Sequence, residues 1–190
     1  MSVELVRFAE APSMPWKNGL GTTTQLAIHP RSTSLDSFAW RVSIARLSGS
    51  AAFSAFAGVE RCLAMLRGEM TLLRAHVEPV RMTTASPPIS FPGDEPAEGR
   101  VESGTALDLN LMYRSGRWDA TMHRMVLVAG RTLKTQATTM LCALVAGCVS
   151  EDQHRYEMAP FDLLRADPNV ELRADTAIDV YVMELRAHQP

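Results

Sequence analysis

The apolar side chains Phe38, Trp40, Val42 and Ile44 recur at every second position and leave Arg41 and Ser43 on the opposite side. A two-residue period is what an extended strand with one apolar face requires. No stretch of the chain offers a sustained helical period in competition with it. The same kind of reading predicts strands over Thr22–His29, Phe38–Leu47, Cys62–Leu66, Ile89–Phe91 and Ala106–Tyr113. Ser48-Gly49-Ser50 reads as the break after the second of these, Met70–Leu73 as a hairpin partner of Cys62–Leu66, and Pro96–Gly104 as loop. Val77–Pro88 carries little regular signal. Further strands are predicted over Thr121–Leu127, Met140–Gly147, Phe161–Leu164, Val170–Leu172 and Ala177–Leu185, with a short turn in 159–165. Many short strands parted by Gly, Pro and Asp turns predict an all-β sandwich or barrel.

Self-similarity divides the chain further. Ala106–Met112 matches Ala177–Met183 in spacing and character, Leu63–Gly68 resembles Cys142–Gly147, and Phe91–Asp94 falls where Leu164–Asp167 does. Three matches in one order predict a duplicated β unit, with a first lobe over about 14–114 and a second over about 119–186. The strands of the first copy are richer in polar groups, so it is expected to bind ligand and the second to act as scaffold.

A chain of 190 residues buries a sizeable core, here as one compact unit. A formal net charge of −2 and the lack of any Lys/Arg-rich run exclude the basic footprint of a nucleic-acid binder. Glu4, Arg7 and Glu10 interrupt the N-terminal apolar residues, and no apolar run reaches the roughly 18 residues of a membrane span. Cys62, Cys142 and Cys148 are an odd number in apolar contexts, which reads as free thiols in a reducing compartment. A cytoplasmic location is expected, and a homodimer stays open.

The densest chemistry lies in Pro15–Thr24, where Trp16, Lys17 and Asn18 precede Gly19, Leu20 and Gly21, and Thr22–Thr24 follow. Asn-Gly is a strong turn signal, and backbone amides in such a turn are often left free to meet an anion. Arg41 and Ser43 share a strand face, as do Asp108 and Asn110. In a small β lobe such a face either meets water or lines the interior. A guanidinium holds a carboxylate through two parallel hydrogen bonds, which suits an acidic ligand. Arg61 is a second cation candidate or a turn cap, and Trp16, Phe53 and Phe56 supply either pocket wall or core. The candidate ligand-binding set is therefore Trp16, Lys17, Asn18, Gly19, Thr22, Arg41, Ser43, Phe53, Arg61, Asp108 and Asn110.

Taken in order, Pro15–Thr23, Trp40-Arg41-Val42-Ser43, Phe53-Ser54 through Gly58 to Arg61, Phe91–Asp94 and Asp108–Met112 resemble the HutD/Ves family, which is associated with bacterial histidine utilisation. The resemblance implies a bicupin, two small jelly-roll-like β-barrel lobes from one chain. It also implies a small-molecule binder, not an established enzyme, that regulates or buffers histidine breakdown with formylated or carboxylated intermediates as ligands. Leu20 stands where the family commonly has a third glycine.

Other chemistry finds less support. A cupin iron or manganese site needs two histidines at i and i+2 with a carboxylate and a later histidine, and the matching window Val59–Met65 holds no histidine. No nucleophile elbow, phosphate loop or dinucleotide fingerprint is present. The sequence thus predicts no metal, no cofactor and no catalytic residue. Its leading reading is a non-catalytic binder of a small carboxylate. The alternatives are a metal-free isomerase or hydrolase using Lys17 and Asp108, and a protein-binding module using outer sheet faces.

Overall fold

A computed structural model of the chain describes residues 3–16, 18–31 and 33–188. These residues form β-strands and no helix, as the period-two pattern requires. In chain order the strands are β1 (Val3–Val6), β2 (Ser13–Pro15), β3 (Gly21–His29), β4 (Trp40–Ala52), β5 (Val59–Arg67) and β6 (Glu69–Arg74). There follow β7 (Val77–Thr83), β8 (Ile89–Pro92), β9 (Ala97–Arg114), β10 (Trp118–Leu127), β11 (Thr132–Lys134) and β12 (Thr138–Ala143). The last are β13 (Gly147–Glu151), β14 (His154–Met158), β15 (Leu163–Ala166), β16 (Glu171–Ala174) and β17 (Ile178–Ala187). No helix among the described residues is long and apolar enough to cross a membrane.

The chain divides into two compact units: Pro12–Arg117, and Trp118 onward together with the segment up to Ala11. In the first, the strands run β2-β3-β4-β9-β5-β8, with β6 pairing both β7 and β9. Two long strands organise it. β4 and β9 pair from Trp40↔Tyr113 to Leu47↔Ala106, shift register between Leu47 and Gly49, and pair again from Gly49↔Val101 to Ala52↔Glu98. The bulge lets one pair of strands bend and serve both halves of the unit. Leu47, Leu63, Met65, Met70, Leu72, Met82, Phe91 and Val101 fill the space between the halves. Each fully buried side chain of this size contributes about 1.5–3 kcal/mol.

This geometry corrects several expectations. Ser48-Gly49-Ser50 does not end the strand: Gly49 pairs with Val101 and Ser50 with Arg100, and the shift in register is taken up by residues 102–105 of β9. Residues 69–74 are not the hairpin partner of 59–67: β6 pairs β7 and the lower half of β9, while β5 pairs the upper half, so the two lie end to end along one 18-residue strand. Residues 97–104 are strand, not loop. Their inward positions are Ala97, Gly99 and Val101, and a Cβ at Gly99 would stand 3.0 Å from Leu47 and 3.1 Å from the Met70 sulfur. The alternation exists, with hydrogen as its central side chain. The sheets are open arrays, not closed barrels.

The second unit is two facing sheets, β1-β15-β12-β17-β10 and β11-β16-β13-β14. Leu141, Leu164, Val180 and Val182 from one meet Val149, Met158 and Leu172 from the other. Its antiparallel run β10-β17-β12-β15 has the same order as β4-β9-β5-β8, and the β13–β14 hairpin follows β12 as β6–β7 follows β5. The sequence match is nevertheless out of register. Asp108 shares its sheet face with core residues Met65 and Leu63, whereas Asp179 lies on the face opposite the core residues Ile178 and Val180 and binds Arg124. One residue of slip reverses every side chain in a strand.

The N-terminal segment is fastened by one carboxylate. Buried Asp162 accepts from Arg7 Nη1 at 2.7 Å, the Phe8 amide at 2.9 Å and the Ala159 amide at 3.0 Å. Asp162→Ala strands the two amides, leaves Arg7 with the Glu157 carbonyl, and is expected to cost about 2–4 kcal/mol in thermal denaturation. Faster amide hydrogen exchange at Val3–Val6, the β1 segment paired with β15, is the local readout.

Candidate functional site

Three neighbouring strands of the first unit turn polar side chains toward its core. Register pairs on that face are Ser43↔Asn110 and Ala45↔Asp108 between β4 and β9, with Arg41↔Met112 beside them. Across β9, Arg61, Leu63 and Met65 of β5 stand opposite Met112, Asn110 and Asp108. Cross-strand partners sit about 4.5–5.5 Å apart, so the polar groups form one cluster. Arg41, Ser43, Arg61, Asp108 and Asn110 are all buried, and Asp108 is 0% exposed. The other face of the same strands carries Trp40, Val42, Ile44, Leu109 and Leu111 and is buried too, so neither face is the wet side of a sheet.

The hydrogen bonding of the cluster is incomplete. Arg41 Nε donates to Gln25 Oε1 at 3.0 Å and Arg61 Nη2 donates to the Ser54 carbonyl at 3.0 Å. The Arg61 guanidinium carbon lies 5.0 Å from the Phe53 ring centre and 5.7 Å from that of Phe91, a cation–π arrangement. Arg61 Nε, both carboxylate oxygens of Asp108 and Asn110 Oδ1 have no hydrogen-bond partner. A buried polar group left unmatched costs about 1–3 kcal/mol, and more when charged. Such groups are normally satisfied. Burial pushes the Asp108 carboxyl up to about 7, with nearby Arg61 drawing it back. Burial also lowers Arg61 to about 10, an effect that Asp108 opposes and Arg41 reinforces. Arg41 is lowered by burial as well.

The turn plays a different part from the one its sequence suggests. The Gly19 amide donates to the Trp16 carbonyl at 3.0 Å and the Leu20 amide to Asn18 Oδ1 at 3.1 Å, so both are engaged inside the turn and not left for an anion. Asn18 and Gly19 are exposed turn residues. Trp16 packs against the core cluster, and its indole N–H donates to Thr23 Oγ1 at 2.7 Å. Gly21 is required by that ring: a Cβ there would lie 2.8 Å from it and 2.4 Å from the Arg46 carbonyl. Thr22 pairs with Arg46 and faces away from the cluster, whereas Thr23 and Gln25 pair with Ala45 and Ser43 and face it. Lys17 lies outside the described residues. Among the described residues no three His, Cys, Asp or Glu side chains gather as a metal site would require.

The description of the HutD family matches residues 8–182. The chain belongs to the HutD family. It is 31% identical over 174 residues to an uncharacterised 21.2 kDa protein encoded in the hutC 3′ region of Pseudomonas putida, covering 90% of both. It is 33% identical over 134 residues to protein Ves of Citrobacter koseri, covering 70% of this chain and 67% of that one. HutD from Pseudomonas fluorescens SBW25 superposes with a TM-score of 0.83 at 28% identity, over 99% of this chain and 100% of that one. A cupin 2 conserved barrel domain protein from Leptotrichia buccalis, at 10% identity and a TM-score of 0.61 over 99% of this chain and 98% of that one, shares the fold.

Within this HutD-family chain, Gln25 is the cluster member that sequence reasoning missed. Its signal was present, since Thr23 and Gln25 alternate on one face of a strand adjacent to Arg41.

The elevated Asp108 carboxyl has a consequence for stability. Unfolded, it titrates near its ordinary 3.8; folded, near 7. The folded state therefore holds the proton more tightly, and the stability tied to the neutral carboxyl is complete below about pH 4 and lost as pH rises to about 7. Asp108→Asn cannot ionise and is expected to gain on the wild type across that interval by a few kcal/mol in total, at about 1.4 kcal/mol per unit. Thermal denaturation at a series of pH values checks this; parallel curves would refute it.

Proposed function

We propose that this chain is a non-catalytic binding protein for a small carboxylate-bearing metabolite of histidine degradation, acting in the cytoplasm to tune that pathway. The observation that carries the reading is the buried, unsatisfied cluster. Two guanidiniums stand with an unpaired donor at Arg61 Nε and unpaired acceptors on Asp108 and Asn110. A carboxylate would accept from the guanidinium donors, whose planar fork is the side-chain group best shaped to hold it, and a ligand N–H or O–H would serve the acceptors on Asp108 and Asn110. Phe53 and Phe91 against Arg61 provide the apolar wall that such sites use. The pathway is supported by the hutC-region location of the P. putida relative and by the HutD name of the P. fluorescens structure, which was obtained in a formate condition.

We further read the two units as copies of one ancestral cupin-like lobe, which makes the chain a bicupin with the second lobe as scaffold. The shared strand order supports this. In the second unit the corresponding inward face is apolar, with Ile178, Val180 and Val182. The alternative is a metal-free isomerase or hydrolase, favoured by an Asp108 carboxyl that titrates near 7, where general acid–base groups work best.

Calorimetric titration with formate, formylglutamate, urocanate and glutamate at millimolar concentration tests the binding reading. At least one is expected to bind, and Arg41→Gln or Arg61→Gln is expected to weaken it about tenfold or more. No heat from any of them would count against binding. Conversion of a bound compound, followed by NMR, would favour the enzyme.

A further inference from the structure

We propose that Asp108 takes up a proton when an anion enters beside Arg41 and Arg61, so that the site receives a carboxylate together with a proton from solvent. The inference rests on the binding reading above and deepens it.

Geometry supplies the argument. Asp108 is wholly buried and neither oxygen meets a donor. Its lateral neighbours in the sheet are Ala45 on β4 and Met65 on β5, whose side chains carry no N–H or O–H. Two residues along its own face, Asn110 turns an equally unpartnered oxygen into the same interior. The charged groups on this sheet face are Arg61 from β5, Arg41 from β4, tied to the neutral Gln25 of β3, and Arg114 at the far end of β9, opposite Val59 and donating to the Phe38 and Ala57 carbonyls. From β6 and β7 the core presents Met70, Leu72 and Met82, and from β8 Phe91. Beyond Phe91 lies Arg74, with its guanidinium carbon 5.4 Å from that ring centre and an ion pair to Glu95 at 3.6 Å. Glu78 alternates with Val80 and Met82 but is exposed near the end of β7, and among the described residues no other acid and no histidine lies on the inward side of these strands.

An acid in this position has few ways to respond to a second negative charge. Two like charges about 6 Å apart in a medium of effective dielectric about 20 repel strongly enough to move a carboxyl by about two pH units. The proton acquired turns one Asp108 oxygen from an unpaired acceptor into a donor, which can serve Asn110 Oδ1 or the incoming carboxylate. One bond forms, O–H on Asp108, and the proton comes from water or buffer. Because the free carboxyl titrates near 7, the uptake falls in the physiological range. A ligand that instead met Asp108 with its own N–H would stabilise the ionised form and release a proton. The direction of proton exchange therefore separates the two modes.

The test is calorimetric titration of the full chain with formate and with formylglutamate. Neither probe titrates near neutral pH, since ordinary carboxyls lie near pH 4. Each is measured at pH 6 and pH 8 in two buffers of different ionisation enthalpy. The expected result is uptake of about 0.5–1 proton at pH 8 and close to none at pH 6, with affinity falling up to about tenfold per unit above pH 7. Asp108→Asn is expected to abolish the exchange for whatever binding it retains. Binding without uptake at pH 8, or with release, would overturn the proposal while leaving the binding reading standing. No heat from either probe at either pH would overturn the proposal, and the binding reading would fall with it only if urocanate and glutamate gave none as well. The wild-type measurements decide the matter even if the variant fails to fold.

Discussion

The costliest arrangement in this molecule is a carboxylate sealed inside a β unit with nothing bonded to it. Asp108 has no exposed surface and no partner on either oxygen. In water each oxygen would be fully solvated, so folding must offset the loss elsewhere. What offsets it is the framework around it. β4 and β5 hold β9 from both sides along the segment that carries Asp108, with Leu63, Met65 and Phe91 on its core face. The Arg61 guanidinium keeps the residual charge from being wholly uncompensated.

The long pair β4–β9 makes this economical. Each strand passes through both halves of its unit, so the buried polar residues and the residues that fill the core follow one another on one continuous backbone. Ser43 and Asn110 face each other one register step from Ala45 and Asp108, and Leu47 and Ala106 follow on the same face. The polar cluster is built onto strand centres and not onto loops. Side chains there are held by neighbours on both sides, which suits a site that must keep charged groups in place without their natural hydration.

Much of this could be read from the sequence, and the failures have identifiable causes. Period-two alternation located β3, the first part of β4, and the upper half of β9, because one residue type dominates each face there. It missed the lower half of β9, where the inward position is Gly99 and the apolar signal vanishes though the packing does not. It paired β5 with β6 because a tight turn usually means a hairpin. That inference fails when a third strand is long enough to accept both in succession. At the site, Arg41, Ser43, Asp108 and Asn110 were legible as shared faces, and whether those faces looked inward was not, since burial on both sides depends on tertiary packing. Thr22 was chosen where Thr23 faces the cluster, a slip of one residue in a run of three threonines. The turn at Asn18-Gly19 invited an anion; its amides close the turn instead.

The fastening of the N-terminal segment bears on how the molecule is made. β1 pairs with β15, and the Arg7 guanidinium reaches a carboxylate 155 positions later in the chain. Pro12–Arg117 is contiguous and has every one of its strands once it has been synthesised. β1, by contrast, is made long before its partner β15. At roughly 5–20 residues per second it waits about 8–30 seconds with its hydrogen-bonding edge exposed. For that interval the nascent chain carries a finished lobe with an unpaired strand ahead of it. β1 thus pairs only after the strands of Pro12–Arg117 have been made, and Asp162 is the latch that closes behind it.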